Sequence, residues 1–484
     1  MTSGNMIKVA MPTMLYSNLT VRLLLLGAWF ALFFNSIAQY TGSWLTYSIF
    51  SAVFLVMLIS GFYRQKSYGY LFLVVMLWLG FWLKMTVHLL VDYPFGEPVG
   101  FFVATPAAWD EVLSVATIGG MGVIVARLLF GLARQPSSML AHANAFKPPA
   151  WYLPTRKWMW AGLMVACVGL AFINTSLGIL QIGLVPNTIL LWPLNAVISW
   201  LIGYGLALGV ATLLWWDVAL GRNVSLVVYF VLLEAFTSTV SILSRGIYLF
   251  HVVPQLLGLY NNRGLVTGWS RRNIAGVCLA FVLLFVISNP LVNTLRNNYY
   301  SNVPINNAGT GVNALAKFAV DRWLGLEGVM ASSSYPKKGD DLFLRALTEK
   351  AAIGKSTVYQ DVCLSHYRFV DMKKFQFASV PGPMGFLYFT GYVWVVLLGM
   401  IVLVLVLLFS EVMVFRFTSN PLLSALWGGA MANTVAQFGI APRGLLIYFF
   451  EMSCGIAAVW FMQSEWISMG LQKLSLFKSV KSKA

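Results

Sequence analysis

Charge is scarce in this chain. Only 10% of its 484 residues are Asp, Glu, Lys or Arg, against roughly a quarter in soluble globular domains, and that excludes water as the main solvent. Cysteine is nearly absent too: Cys167, Cys278 and Cys454 fall in apolar runs and only Cys363 in a polar one. A single loop cysteine closes no internal bridge, and with no CxxC pair thiolate zinc and dithiol redox chemistry are not expected. His142, His251 and His366 have no partners at metal-ligand spacing, and HExxH, a P-loop and GxSxG are all missing. No DxD-like pair of acids adjoins the first apolar run. These absences weigh against an ATPase, a serine hydrolase and a metal-dependent transferase that relies on such acids. No metal and no cofactor is expected.

What is present is apolar. Hydrophobic residues make up 59% of the chain and the mean hydropathy is +0.77. Runs such as Thr20–Ala38, Trp44–Phe62 and Met384–Phe409 are long enough to cross about 30 Å of hydrocarbon at about 1.5 Å per residue. The expected fold is an all-α polytopic membrane protein with about twelve transmembrane helices. They fall at residues 20–38, 44–62, 70–91, 111–133, 158–175, 195–216, 226–243, 246–262, 274–293, 384–409, 421–438 and 444–462.

Basic residues set the orientation. The two termini and the alternate loops 63–69, 134–157, 217–225, 263–273 and 410–420 carry sixteen Lys and Arg, whereas the opposite short connections carry only Arg245 and Arg443. Both termini are therefore expected in the cytoplasm. The net charge of +16 is read as loop anchoring, and no nucleic-acid partner is expected. The chain divides into residues 1–293, an extracytoplasmic loop or cap at 294–383, and residues 384–484. The loop holds eleven basic and seven acidic residues, a surplus compatible with a polyanionic substrate. Within it Ala314–Gly328 and Asp340–Lys350 have helical apolar spacing and read as short amphipathic helices on the membrane surface, with Tyr299, Tyr300 and Trp323 suited to the interface.

Arg245 and Arg443 stand out as arginines on the side where positive charge is scarce. Each precedes a glycine, in Ser244-Arg245-Gly246 and Pro442-Arg443-Gly444. A guanidinium stays charged near lipid and offers a planar fork of donors to phosphate, although either could simply snorkel to headgroups. Arg322, within Asp321-Arg322-Trp323-Leu324-Gly325-Leu326-Glu327, adds a third candidate from the loop. Charges inside spans invite functional suspicion. Lys84 and His88 lie in the third span, Glu234 in the seventh and Glu451 in the twelfth. Helical rise puts Lys84 at the depth of Glu451, so Lys84 is expected to pair with Glu451 or Glu234 beneath the site, chiefly as a structural ion pair.

This layout resembles the oligosaccharide repeat-unit polymerases, the O-antigen polymerase or Wzy family. The likeness is carried by Ser244-Arg245-Gly246 between two spans, the Asp321–Glu327 segment, the run Val380-Pro381-Gly382-Pro383-Met384-Gly385-Phe386-Leu387-Tyr388 leading to Gly391 and Gly399, and Pro442-Arg443-Gly444. The resemblance implies a GT-C-like fold in the bacterial inner membrane. The substrate it implies is an oligosaccharide linked to undecaprenyl pyrophosphate, and a chain-length regulator protein is a possible partner. On that footing Arg245, Arg443 and Arg322 hold the pyrophosphate. Glu327 is the first candidate base, with Asp321 and His366 behind it, and Lys84 and Tyr388 are further substrate contacts. The O-antigen ligase remains an alternative, kept open by His366 near Arg368. A flippase or transporter is another, for which inverted repeats or broken helices at mid-membrane would be needed.

Overall fold

In a run of Leu, Val, Ile, Phe and Ala the side chains offer the backbone no polar partner, so its amides bond to carbonyls within the same segment. Each of the twelve apolar stretches accordingly contains a helix. The computed structural model describes residues 19–63, 67–133, 146–299, 320, 323, 325–350, 352–377, 379–439 and 442–464. Before the long connection come α1 (Leu19–Ile37), α2 (Trp44–Phe62), α3 (Tyr68–Val91), α4 (Pro106–Ala133), α5 (Tyr152–Leu177), α6 (Leu194–Ala219), α7 (Val228–Ile242), α8 (Arg245–Asn261) and α9 (Arg271–Tyr299). Within it lie α10 (Leu326–Ser334), α11 (Asp340–Thr348), α12 (Val358–Val362) and α13 (Gly382–Leu387). The bundle closes with α14 (Val393–Thr418), α15 (Pro421–Ala436) and α16 (Pro442–Gln463).

Among the described residues, eight helices are long and apolar enough to cross a membrane: α2 to α6, α9, α14 and α16. Leu279, Val282, Leu283, Val286 and Ile287 on α9 are all more than half exposed, a surface that belongs in lipid. The chain is an all-α, polytopic, membrane-embedded protein. Two shorter helices, α8 and α15, are interior parts. α15, of 16 residues, buries everything except Asn433 and Thr434, so protein rather than lipid sets its length. α8, of 17 residues, contains Pro254.

Close glycine contacts set the packing around α15. A side chain at Gly428 would meet the backbone of Gly69 on α3, and one at Gly429 would meet Pro254 on α8. Small residues let backbones approach without the hydrophobic effect, which is weak between helices in lipid. Gly258 on α8 lies against Leu422 and Ala425, so α8 and α15 run antiparallel. α14 packs along α4, and α4 along α2. Asp217 at the end of α6 takes the Arg156 Nε and Nη2 at 2.6 and 2.7 Å and the Tyr152 hydroxyl at 2.9 Å, clamping α5 to α6.

The long connection departs from its expected form. The surface helix expected over residues 314–328 lies mostly outside the described residues; within them Val320 is helical and buried, and α10 is buried throughout Leu326–Ser332. The segment Glu-Gly-Val-Met-Ala-Ser-Ser has little bulk to keep it out. Its hydroxyls are satisfied within the helix, Ser332 Oγ donating to the Gly328 carbonyl at 2.7 Å and Ser334 Oγ to that of Met330 at 2.9 Å. α10 crosses α13 backbone to backbone: a side chain at Gly328 would overlap the Pro381 carbonyl, and one at Gly385 the backbone of Gly328. The span expected to start at residue 384 begins instead at Val393, because Gly391 takes a left-handed φ of 78° and ends the buried turn Tyr388–Thr390. α11 does have the amphipathic character expected of residues 340–350; it buries Leu342 and Ala346 and packs on α16. A two-residue antiparallel pairing, Gly183–Leu184 with Phe375–Gln376, ties the α5–α6 connection to this cap.

Candidate functional site

Two irregularities in α3 build the best-defined polar site. Its helix is widened by a π-turn at Leu79–Leu83, a distortion that re-aims the residues around it. Gly325, just before α10, lies against the Phe81 ring and the Gly80 carbonyl, a place where no side chain fits. The next turn of each element then supplies one charge. Lys84 Nζ lies 2.6 Å from Glu327 Oε1, and the two residues are 3% and 1% exposed. Lys84 therefore does not pair with Glu451 or Glu234. The inserted α10 brings a carboxylate to it from the cap, which helical depth along α3 could not reveal.

α3 ends at Asp92, whose left-handed φ of 48° folds the chain back over the helix. That return puts the Tyr93 carbonyl 2.8 Å from His88 Nδ1. A carbonyl only accepts, so Nδ1 carries the proton and, in the neutral ring, Nε2 holds the lone pair. Phe95 and Trp109 hold the imidazole, with centroids 4.4 and 5.7 Å away. Lys84, His88, Tyr93, Pro94, Phe95, Gly96, Val320 and Glu327 line a crevice too narrow to admit a free water molecule. Glu327 Oε2 is buried there with no hydrogen-bond partner among the described residues. A buried carboxylate oxygen left open costs about 1–3 kcal/mol or more, so this atom calls for a partner, and a water or an ion is as suited in kind as a larger ligand.

Arg245 opens α8. Leu243, at a left-handed φ of 59°, turns the chain, and its carbonyl accepts from Arg296 Nε at 2.9 Å, tying the turn to the end of α9. The antiparallel register of α8 and α15 sets Arg245 level with the Ala436 end of α15. That is the end where Gly382 approaches both the Ala436 carbonyl and Gly325. Arg245 Nε is buried without a hydrogen-bond partner among the described residues. Arg443 lies in the first turn of α16, but its side chain lies outside the described residues. Asp321 and Arg322 also lie outside them, between Val320, which lines the crevice, and Trp323.

Tyr388 and His366 are elsewhere. The Tyr388 hydroxyl donates to Glu111 Oε1 at 2.9 Å, Lys338 Nζ donates to the same oxygen at 3.1 Å, and the ammonium sits 5.0 Å from the Tyr388 ring centroid. Burial, then the Glu111 carboxylate, push this phenol above its ordinary pKa. His366 is exposed on the 3₁₀ turn His366–Phe369, its ring 4.2 Å from that of Tyr367, and Arg368 pairs with Asp361 at 3.6 Å.

Three buried acids hold the bundle itself. Glu234 binds His251 Nδ1 at 3.0 Å and accepts from Ser238 Oγ at 3.0 Å, while His251 Nε2 reaches the Gly203 carbonyl at 3.0 Å, within the π-turn Leu201–Gly205 of α6. The Gly203 carbonyl forces a proton onto Nε2, so the contact at Nδ1 needs a second proton shared between His251 and Glu234. Glu411 and Asp217 are the other two. Neither belongs to the expected site; their sequence signal was an acid in or beside an apolar run, shared with Glu234 and Glu451. Glu451 is half-buried on α16.

Comparison of the chain with protein-family models, with curated proteins and with solved structures finds no match.

Proposed function

We propose that the chain is a glycosyltransferase of the polymerase kind. It joins oligosaccharide repeat units carried on undecaprenyl pyrophosphate at the outer face of the bacterial inner membrane. In this reading both termini are cytoplasmic, the capped end faces outward, and the twelve apolar helices form a GT-C-like bundle. Arg245, Arg443 and Arg322 take the pyrophosphate of the donor, because fixed guanidinium forks stabilise charge that develops as the glycosidic bond breaks. A hydroxyl of a second lipid-linked unit attacks the anomeric carbon, the lipid pyrophosphate leaves with the bonding pair, and the configuration inverts. A chain-length regulator would dock on the cap.

The observation that supports this reading is the open Glu327 oxygen, held beside Lys84 in a crevice at the same end of the bundle as the unpartnered Arg245 Nε. An open carboxylate oxygen and an open guanidinium nitrogen thus lie at one end of the bundle. The test is the glycan made by a deletion strain. A polymerase leaves single repeat units on lipid A, a ligase leaves polymer on the lipid carrier, and an unchanged glycan rejects both. A second reading, transport, draws on the His251–Glu234 pair against a π-turn, since buried His and acid pairs mark proton paths in transporters. Loss of lipid-linked oligosaccharide translocation in reconstituted vesicles would favour it.

A further inference from the structure

A groove of about 360 Å³ lies between α14 and α16, towards the ends of both helices away from the cap. Met413 and Phe417 of α14 and Phe449, Ile456 and Trp460 of α16 form its sides, and the buried Trp427 of α15 forms its base. The polar groups of the wall are satisfied within the protein. Ser410 Oγ donates to the Leu407 carbonyl and accepts from Trp427 Nε1, each at 2.9 Å, and Ser453 Oγ donates to the Phe449 carbonyl at 2.7 Å. Neither hydroxyl proton nor the Trp427 N–H is left for a sugar or a phosphate, so the wall suits an apolar ligand.

Position narrows the choice. α14 and α16 are both long and apolar enough to cross a membrane. The rim residues Met413, Phe417 and Trp460 are about half exposed, and Leu398, Val402, Val406 and Phe409 continue that exposed stripe along α14 at helical spacing. The groove is thus an indentation in a surface that belongs in lipid. From Phe449 to Trp460 it follows α16 for about 17 Å by helical rise, close to one leaflet's share of a hydrocarbon core about 30 Å thick. Phe417 and Trp460 lie against each other, centroids 6.4 Å apart, near the ends of their helices, where aromatic rings mark the headgroup level. Arg416 is exposed in the last turn of α14 beside them.

We propose that this groove binds one phospholipid from the leaflet away from the cap, with an acyl chain lying over Trp427 between α14 and α16 and the phosphate paired with Arg416. The site is independent of the glycosyl-transfer reading. Walls on three sides hold the chain against exchange with bulk lipid, which an open helix face does not. The chain fills the space that side chains leave between the two helices, and the guanidinium favours an anionic headgroup.

The experiment is native mass spectrometry of the full-length protein, washed in detergent and offered phosphatidylglycerol or phosphatidylcholine. Wild type is compared with Ala457→Trp, Ala458→Trp and Arg416→Gln. Ala457 lines the groove, and Ala458 is exposed beside it without lining it, so an indole fills the space at the first position and leaves it open at the second. Wild type and Ala458→Trp should each retain one phospholipid, and Ala457→Trp none. Arg416→Gln should retain the lipid but lose about fivefold in preference for phosphatidylglycerol, the worth of one basic residue at an anionic surface. Should Ala457→Trp not fold, wild type alone decides: phosphatidylglycerol with a diazirine on its acyl chain should label the groove peptides of α14 and α16 well above the lipid-facing α9. Even labelling of the three helices, an equal adduct on folded Ala457→Trp, or a wild type with no bound phospholipid overturns the site. A lipid-free dimer that Ala457→Trp abolishes gives this face to a second copy of the chain and overturns it too. An unchanged preference in Arg416→Gln overturns the headgroup contact.

Discussion

Glu411 on α14 closes the N-terminus of Gly69's helix. Its carboxylate accepts from Gly69 N and Tyr68 N at 2.8 Å each and from Ser67 Oγ at 2.6 Å, and it is 3% exposed. The first turn of a helix has orphan N–H groups. In α3 those groups lie inside the bundle, and an acid from a distant part of the chain satisfies them. Glu411→Ala leaves three buried donors unmet, each costing about 1–3 kcal/mol. The variant should lose most of its folded yield in detergent, while Glu411→Gln, which still offers a carbonyl oxygen, should retain part. Equal melting temperatures for Glu411→Ala and wild type would reject this account.

The Lys84–Glu327 pair makes a different demand. Removing one member strands a buried charge, at about 3–5 kcal/mol, whereas replacing both with apolar groups is often neutral. Lys84→Met and Glu327→Leu should each melt well below wild type, and the double variant should regain most of the loss. The double variant should nevertheless make no polymer. Additive losses in the double-mutant cycle would show that the two side chains do not interact.

Arg245 should tolerate no substitution by lysine. A point charge cannot reproduce the planar fork, so Arg245→Lys is expected to abolish long-chain product at unchanged protein level. The readout is a glycan ladder on a gel beside an immunoblot. Full-length polymer from this variant removes Arg245 from the mechanism.

Backbone crossing between α10 and α13 leaves no space for a methyl group. Gly328→Ala should displace α10 and with it Glu327, lowering both melting temperature and activity. Gly444→Ala, where the added carbon meets nothing within 4 Å, should be silent. Similar behaviour of the two variants would contradict the crossing.

Cys363 is buried in the cap, and burial pushes its thiol up to about 12. Thiolate is the reactive form, so at pH 8 Cys363 should alkylate far more slowly in native than in denatured protein. The sign for stability follows. The unfolded thiol ionises near its ordinary value while the folded one keeps its proton, so stability is fully present below the unfolded pKa. It then falls as pH rises from about 8.5 towards the folded value. A melting temperature flat from pH 7 to 10 in wild type, or one that falls equally in wild type and Cys363→Ala, would contradict this.

The sequence showed the apolar helices clearly, since long runs without charge have one solution in lipid. Seven of the twelve expected ranges, residues 20–38, 44–62, 70–91, 226–243, 246–262, 421–438 and 444–462, agree with the helices to within two residues at each end. The apolar run from residue 384 was misread because Gly391 interrupts it without a change in composition. Lys84 and Glu327 could each be suspected from charge alone. Their pairing could not, because it depends on α10 entering the bundle, and a segment rich in Gly, Ala and Ser has the same pattern on a surface as in a crevice. His88 lacked a sequence signal beyond its place one turn after Lys84; the return of Tyr93 over it comes from a left-handed Asp92.

The central helix has a further consequence for biogenesis. Its partners arrive late: 243 residues separate Lys84 from Glu327, and 344 separate Ser67 from Glu411. During synthesis α3 must wait in the translocon or in lipid with its ammonium and first-turn amides unpaired until most of the chain has left the ribosome. Quality control therefore has a long window in which to recognise an incomplete chain, and nascent chains stopped before α14 should be cleared by membrane proteases.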